Sequence, residues 1–292
     1  MKQLIEFKKQ REIGDILSDT FAFLRHEFKP FFGTILKIAG PYFLLFIVSL
    51  VWYMYIIGDM FNFNINSSTS LNNFSPLMMF LAIIAFSISA LLAYVFANSA
   101  ALHYIKHYID SDGEVDLYSV KKDVNTTFWS FLGLGILKAI ALIVAAMLCV
   151  LPILYMIVPM AVVFSILVFE RKSVMDSFSD SFSLIKDEFL MTFLAIFVVG
   201  IIVTVASYAF ALPASIYSII KMGLFSGEVN PGDFGSFFDP VYIILNVLSY
   251  GARFLLNLIS VVAGVFIYFN LNERKNFTGT YEAIERLGNT QE

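Results

Sequence analysis

The residues with the most chemical potential lie where charge is least welcome. Asn246, Ser249, Arg253, Asn257 and Ser260 recur every three or four positions within an apolar stretch. On a helix that spacing aligns them on one face. A guanidinium flanked by amides and hydroxyls can hold an anion or a lipid headgroup. Two readings of this stripe stand. It lines a hydrated, positively biased groove opening outward, or it hydrogen-bonds across helices and fixes their packing. Lys138 poses the same choice, between an anion or lipid-headgroup contact and a snorkelling side chain. Lys37, just before Gly40-Pro41, reads as snorkelling. His103 and His107 stand four apart, and two such imidazoles can share a metal. The only other histidine is His26, so no metal and no cofactor are expected. Interface anchoring beside Tyr104 and Tyr108 is the expected role of the pair. No nucleophile, base and orienting group can be placed together, so no catalytic residues and no enzyme are expected. The single cysteine, Cys149, cannot form a disulfide within the chain.

These residues need elements to hold them, and the composition says which. Of 292 residues, 59% are hydrophobic and only 14% charged. That is too little charge to coat a soluble domain of this size. It also excludes a disordered chain and a basic nucleic-acid binder. A bilayer core of about 30 Å needs about 20 apolar residues in a helix. Six stretches suffice: Phe31 to Ile57, Phe74 to about His103, Phe128 to Val150, Pro152 to Phe169, Leu190 to about Leu212, and Val241 to Asn270. They do not alternate, which excludes a transmembrane barrel. The expectation is an all-α membrane protein: six transmembrane helices with amphipathic cytoplasmic interfacial helices, in one integral membrane domain spanning residues 1–292.

Lys138 lies ten residues into the third span, roughly 15 Å along the helix. Its insertion costs about 2.5–3.5 kcal/mol. The surrounding Leu, Ile and Val residues return roughly 3–5 kcal/mol, so the span inserts regardless. A row of small residues on span two, Ala85, Ser89, Ala93, Ala97 and Ala101, is expected to pack internally, with a homodimer face as the alternative. Pro41, Pro152, Pro159 and Pro213 are expected to bend or end their helices.

Basic residues orient the spans. Lys2, Lys8, Lys9, Arg11, Arg25 and Lys29 precede span one. Lys106, Lys121 and Lys122 lie between spans two and three, Arg171, Lys172 and Lys186 between four and five, and Arg274, Lys275 and Arg286 after span six. Fifteen of the 19 basic residues thus fall on one side, and only Lys221 on the other. The positive-inside rule then puts both termini in the cytoplasm. The first 30 residues are charged throughout and lack the apolar core of a cleavable signal, so targeting is expected to rest on the first span. Two segments read as external loops: Gly58 to Asn73, rich in Asn and Ser, and Gly223 to Pro240, rich in Gly and Phe with Glu228, Asp233 and Asp239.

A self-similarity offset by 161 residues organises the chain. Residues 15–32 read DILSDTFAFLRHEFKPFF and residues 176–193 read DSFSDSFSLIKDEFLMTF. The identities are Asp15/Asp176, Ser18/Ser179, Asp19/Asp180, Phe21/Phe182, Glu27/Glu188, Phe28/Phe189 and Phe32/Phe193. Ile13, Leu17, Phe21, Leu24 and Phe28 step as one helical face, and Val174, Phe178, Phe182, Ile185 and Phe189 step identically. Ser173 with Asp176 fits a capping box. Each copy is expected to lie in the headgroup region, feeding a span. A weaker third copy is read at Asp112 to Thr127, and a short amphipathic segment at Gly279 to Leu287. Any two amphipathic helices share periodicity; the shared acids go beyond it. Three parallel units follow, 1–108, 109–172 and 173–292, each an interfacial helix and a hairpin.

The stretch VFSILVFERKSVMDSFSDSFSLIKDEF, Val163 to Phe189, resembles bacterial six-helix proteins similar to the membrane domain of glycerophosphoryl diester phosphodiesterase. There a span ends in an acid, here Glu170, and a Ser-rich amphipathic helix ends in a pair, here Ile185-Lys186. The closing FIYFNLNERK, Phe266 to Lys275, is similar to that group's last-span ending. The resemblance implies six spans and an inner-membrane location. It does not imply phosphodiesterase activity, because the group's hydrolase is a separate appended barrel. The expected function is a non-enzymatic multi-pass inner-membrane protein, structural or accessory in envelope or lipid handling. The alternative is a small transporter or lipid-translocating protein. Expected partners are the lipid bilayer and a membrane protein or second copy, with no nucleic acid.

Overall fold

The computed structural model describes residues 4–61, 75–148, 150–221 and 238–289. Cys149, Glu228, Asp233 and most of the two segments read as external loops lie outside the described residues. Among the described residues the fold is all-α, with no strand. The helices are α1 (Ile13–His26), α2 (Phe28–Phe61), α3 (Pro76–Asp110), α4 (Leu117–Leu148), α5 (Val150–Phe169), α6 (Val174–Ile185), α7 (Phe189–Lys221), α8 (Pro240–Asn276) and α9 (Thr278–Asn289). Six of them, α2, α3, α4, α5, α7 and α8, are long and apolar enough to cross a membrane. The chain is thus an all-α multi-pass membrane protein. Several spans outrun their apolar cores. Helix α4 begins at Leu117 rather than Phe128, because the polar turns before Phe128 carry no helix breaker and continue the backbone ladder. The stretch read as a third interfacial helix is therefore the start of α4. Pro41, Pro159 and Pro213 sit inside α2, α5 and α7 without ending them.

The chain forms two compact units. One comprises Met1–Ile38, Val95–Ile202 and Leu258–Glu292. Its core is aromatic. Phe7 stacks on Phe266 at 4.4 Å, and Phe23 meets Phe7, Phe31 and Tyr108 edge-on. Helix α6 packs on α5 and α4. Gly264 of α8 comes so close to α5 that a β-carbon there would lie 3.1 Å from the Ala161 carbonyl oxygen. The other unit comprises Ala39–Tyr94 and Val203–Asn257. In it Phe43 packs on Phe254 at 4.2 Å, Phe46 on Phe86, and the Ser49 and Ser89 hydroxyls lie 2.5 Å apart. The small-residue row is buried from Ser89 to Ala101 within the chain itself, as internal packing requires.

The two similar segments also share the starting points of their helices. At the same offset of 161, α1 and α6 both begin, at Ile13 and Val174, and α2 and α7 both begin, at Phe28 and Phe189. Glu12 and Ser173 occupy the two N-cap positions. The backbone N–H of Glu12 donates to Asp15, and the N–H of Asp176 donates to the Ser173 hydroxyl. The buried residues Ile16, Thr20, Phe23 and Leu24 of α1 recur as Ser177, Ser181, Leu184 and Ile185 of α6. The protein-facing side of each helix therefore overlaps the stripe read from periodicity only at Leu24 and Ile185. Phe21 and Phe28 of that stripe are exposed. The first copy leaves this aromatic edge outside the core, suited to the headgroup region, while in the second Phe182 and Phe189 are half-buried against Tyr155.

Candidate functional site

In the unit formed by Ala39–Tyr94 and Val203–Asn257, α7 and α8 flank a half-open cavity of about 350 Å³, with Arg253, Thr204 and Tyr208 exposed at it. Helix α8 contributes Asn246, Ser249, Tyr250, Arg253 and Asn257, and α7 contributes Val203, Thr204, Ser207, Tyr208 and Ala211. The α8 stripe is aimed there because its neighbours are held elsewhere. Phe254 packs on Phe43, and the Tyr250 ring meets Phe46 edge-on at 6.0 Å. With that face committed to α2, the stripe turns to α7. Thr204, Ser207, Tyr208 and Ala211 match it at the three-and-four spacing of one helical face.

The two helices are fastened above and within the cavity. The Ser249 hydroxyl lies 2.8 Å from the carbonyl oxygens of Phe210 on α7 and Leu245 on α8, either of which accepts its proton. At the helix ends Asp239 accepts from the Tyr217 hydroxyl, pairs with Lys221 at 3.0 Å, and accepts from the backbone N–H of Tyr242, capping α8. Burial pushes the Asp239 carboxyl up, but these three partners outweigh it and hold it at about 2. Asn246 donates to the Tyr242 carbonyl oxygen and Ser207 to that of Val203, so both spend a donor on their own helix. Among the described residues, Arg253, Asn257 and Thr204 make no side-chain hydrogen bond or ion pair. The site therefore offers a guanidinium, an amide and a hydroxyl with open hydrogen-bonding capacity, in a space within the usual range for small ligands.

Lys138, read from sequence with this set, lies in the other unit and does not line the cavity. Its ammonium sits 5.2 Å from the centre of the Phe164 ring, a cation–π distance. Lys37 is exposed. The histidine pair divides. His103 Nδ1 lies 2.8 Å from the Ser99 carbonyl oxygen, while His107 Nε2 lies 3.0 Å from Asp123. His103, Tyr104 and Tyr108 are all buried, so they are core residues and not interface anchors. The aromatic rings fill the space between helix ends and leave no edge for headgroups. Among the described residues no cluster of three or more metal-ligating side chains occurs.

A second polar cluster escaped the reading of types and spacing. Arg11 is buried although it precedes every helix. Its Nε donates to Asp19 at 2.9 Å, its other nitrogens donate to the carbonyl oxygens of Glu6, Phe7 and Lys9, and its carbon lies 4.7 Å over the Phe266 ring. Its backbone N–H donates to Asn270. Burial pulls the Arg11 guanidinium down, and Asp19 partly restores it. In the second copy the equivalent residue is Lys172, whose Nζ lies 2.7 Å from Asp180 and 2.6 Å from Glu170. These bonds raise the Lys172 ammonium above its ordinary value. The signal was available: a basic residue stands eight positions before the repeated aspartate in both copies. Tyr104 and Tyr268 each donate to a glutamate, Glu27 and Glu170. These clusters tie helix ends together, and the Arg11, Tyr104 and Tyr268 side chains do not line the cavity of about 660 Å³ beside Glu6 and Phe7.

Comparison with protein-family models, with curated proteins and with solved structures finds no match. The chemistry of the α7–α8 cavity therefore carries the functional reading.

Proposed function

We propose that the chain is a multi-pass protein of the bacterial inner membrane, with both termini cytoplasmic, that handles envelope lipid as a structural or accessory component and performs no catalysis. The observation that carries this reading is the α7–α8 cavity: Arg253, Asn246 and Asn257 line a half-open, part-polar space between helices otherwise built for lipid. Intramembrane ionisable residues turned to a cavity are functional by default. The bias of basic residues to one side supports the orientation. The likeness to membrane domains of glycerophosphoryl diester phosphodiesterases agrees with a lipid context. A transporter or lipid-translocating protein is the second reading, favoured by the recurrence of α1–α3 in α6–α8. The test is reconstitution and mild-detergent purification in parallel. A lipid-handling accessory protein retains lipid or a partner and gives no saturable flux in proteoliposomes. Saturable flux lost in Arg253→Leu selects the transporter, and turnover of a lipid by the purified protein overturns both.

A further inference from the structure

The two copies of the repeat differ where the cavity lies. Helices α3 and α8 begin in one register, offset by 164. Ser75 and Asp239 accept the capping bonds from Met78 and Tyr242, and Pro76 and Pro240 take the first helical position. Tyr104 and Tyr268 keep the same offset. By it, Asn246, Ser249, Arg253 and Asn257 of α8 correspond to Ala82, Ala85, Ser89 and Ala93 of α3. By the α2/α7 offset, Thr204 and Ser207 correspond to Phe43 and Phe46.

The first copy is packed shut. Ala82, Ser89 and Ala93 are buried, and the Ser89 hydroxyl meets Ser49 at 2.5 Å. Small residues suffice to bring two such helices together. The hairpin scaffold thus has no need of an arginine or two asparagines for packing. Where the first copy has alanine and serine, the second has a guanidinium and amides, and the space stays open at about 350 Å³. On a helix built for lipid, an exposed guanidinium with no acceptor from the chain calls for an acceptor from a ligand.

Resting on the lipid-handling reading, we propose that this cavity binds a phosphate-type oxyanion carried by an amphiphile, an anionic lipid headgroup. Arg253 makes the charged contact, and Asn257 and Thr204 donate or accept beside it. The cavity holds a headgroup and not acyl chains. Val205 and Leu248, both on the cavity-forming helices, expose apolar side chains along which the chains lie. The same chemistry would admit a free phosphate, and the experiment separates the two.

The whole protein, purified in mild detergent, is equilibrated with phosphatidylglycerol or phosphatidylcholine and weighed by native mass spectrometry. The expected result is retention of phosphatidylglycerol over phosphatidylcholine by at least about tenfold, lost in Arg253→Leu and largely restored in Arg253→Lys. Asn257→Leu weakens retention independently, so the proposal stays testable if one variant folds poorly. Displacement of the lipid by millimolar inorganic phosphate supports the shared oxyanion chemistry; phosphate bound in place of any lipid assigns the site to a free anion and overturns the headgroup proposal. Equal retention of both lipids, or unchanged selectivity in Arg253→Leu and Asn257→Leu, also overturns it, while retained lipid or partner would leave the lipid-handling reading standing. Loss of all lipid and partner retention in the wild type fails that broader reading instead.

Discussion

The same substitution made at two duplicated aspartates should have very different costs. Asp19 pairs with Arg11, whose side chain is 0% exposed, while Asp180 pairs with Lys172, at 41% and 39% exposure. Removing Asp19 leaves a buried guanidinium with only carbonyl oxygens to face. Breaking a buried pair by removing one partner costs about 3–5 kcal/mol. Asp19 is itself partly solvated, so the lower end, about 3 kcal/mol, is expected for Asp19→Asn. Exposed pairs contribute about 0–1 kcal/mol, and Lys172 keeps Glu170 at 2.6 Å, so Asp180→Asn should cost less than about 1 kcal/mol. At roughly 2 °C per kcal/mol for a chain of this size, thermal unfolding in detergent should fall by about 6 °C for Asp19→Asn and under about 2 °C for Asp180→Asn. The pH dependence has a definite sign. Burial pushes the Asp19 carboxyl up, but bonds from Arg11 and Lys9 outweigh it and leave it below its ordinary value. A depressed carboxylate stabilises the fold above its unfolded pKa of about 3.9 and ceases to as pH falls through the folded value. Wild type and Asp19→Asn should therefore differ at pH 7 and converge only in acid, as pH falls through the lowered folded value. Equal losses for the two substitutions, or a gap that persists in acid, would refute the reasoning that burial sets the worth of the pair.

Three further outcomes follow from single contacts. A β-carbon at Gly279 would lie 2.4 Å from the Lys8 carbonyl oxygen, so Gly279→Ala should dislodge α9 from the N-terminal segment; faster proteolysis near residue 280 at unchanged helical content would register it. Ser89→Leu overpacks the closed α2–α3 contact and should cost about 1–3 kcal/mol, whereas Arg253→Leu removes a charge from an open space and should leave the unfolding temperature level or higher. Asp239→Asn should loosen the α7–α8 ends, read as faster hydrogen exchange around Tyr242; in the wild type the clasp, present above about pH 4, should release only as pH falls through about 2.

How far the site was legible varies residue by residue. The Asn246–Arg253–Asn257 face follows from spacing alone, because a helix fixes which residues align. Its partner face on α7 carried the same signal in Thr204, Ser207 and Tyr208 but stood among too many apolar neighbours to draw notice. Lys138 was read with Arg253 as a cation within a span, although it lacks the polar stripe around Arg253. Packing separates them, placing one over the Phe164 ring and the other on a cavity wall. The aromatic stripe of α1 was read from periodicity as its headgroup face, and Phe21 does stay outside, but the second face, with Phe23 and Ile16, that takes the core was not read. Periodicity gives a helix its faces but not which of two apolar faces meets protein when lipid accepts the other equally well.

Composition, apolar run length and the lack of alternation by themselves determine six helical spans, since only helices and closed barrels satisfy a backbone in hydrocarbon. The similarity at an offset of 161 residues points to a repeat, since shared acids at shared phase exceed what amphipathicity demands. What only the tertiary structure decided is that one hairpin closes on Ser49 and Ser89 while its duplicate stays open around Arg253. Closure depends on side-chain volumes meeting across two helices distant in sequence, and no local pattern within either helix encodes that fit.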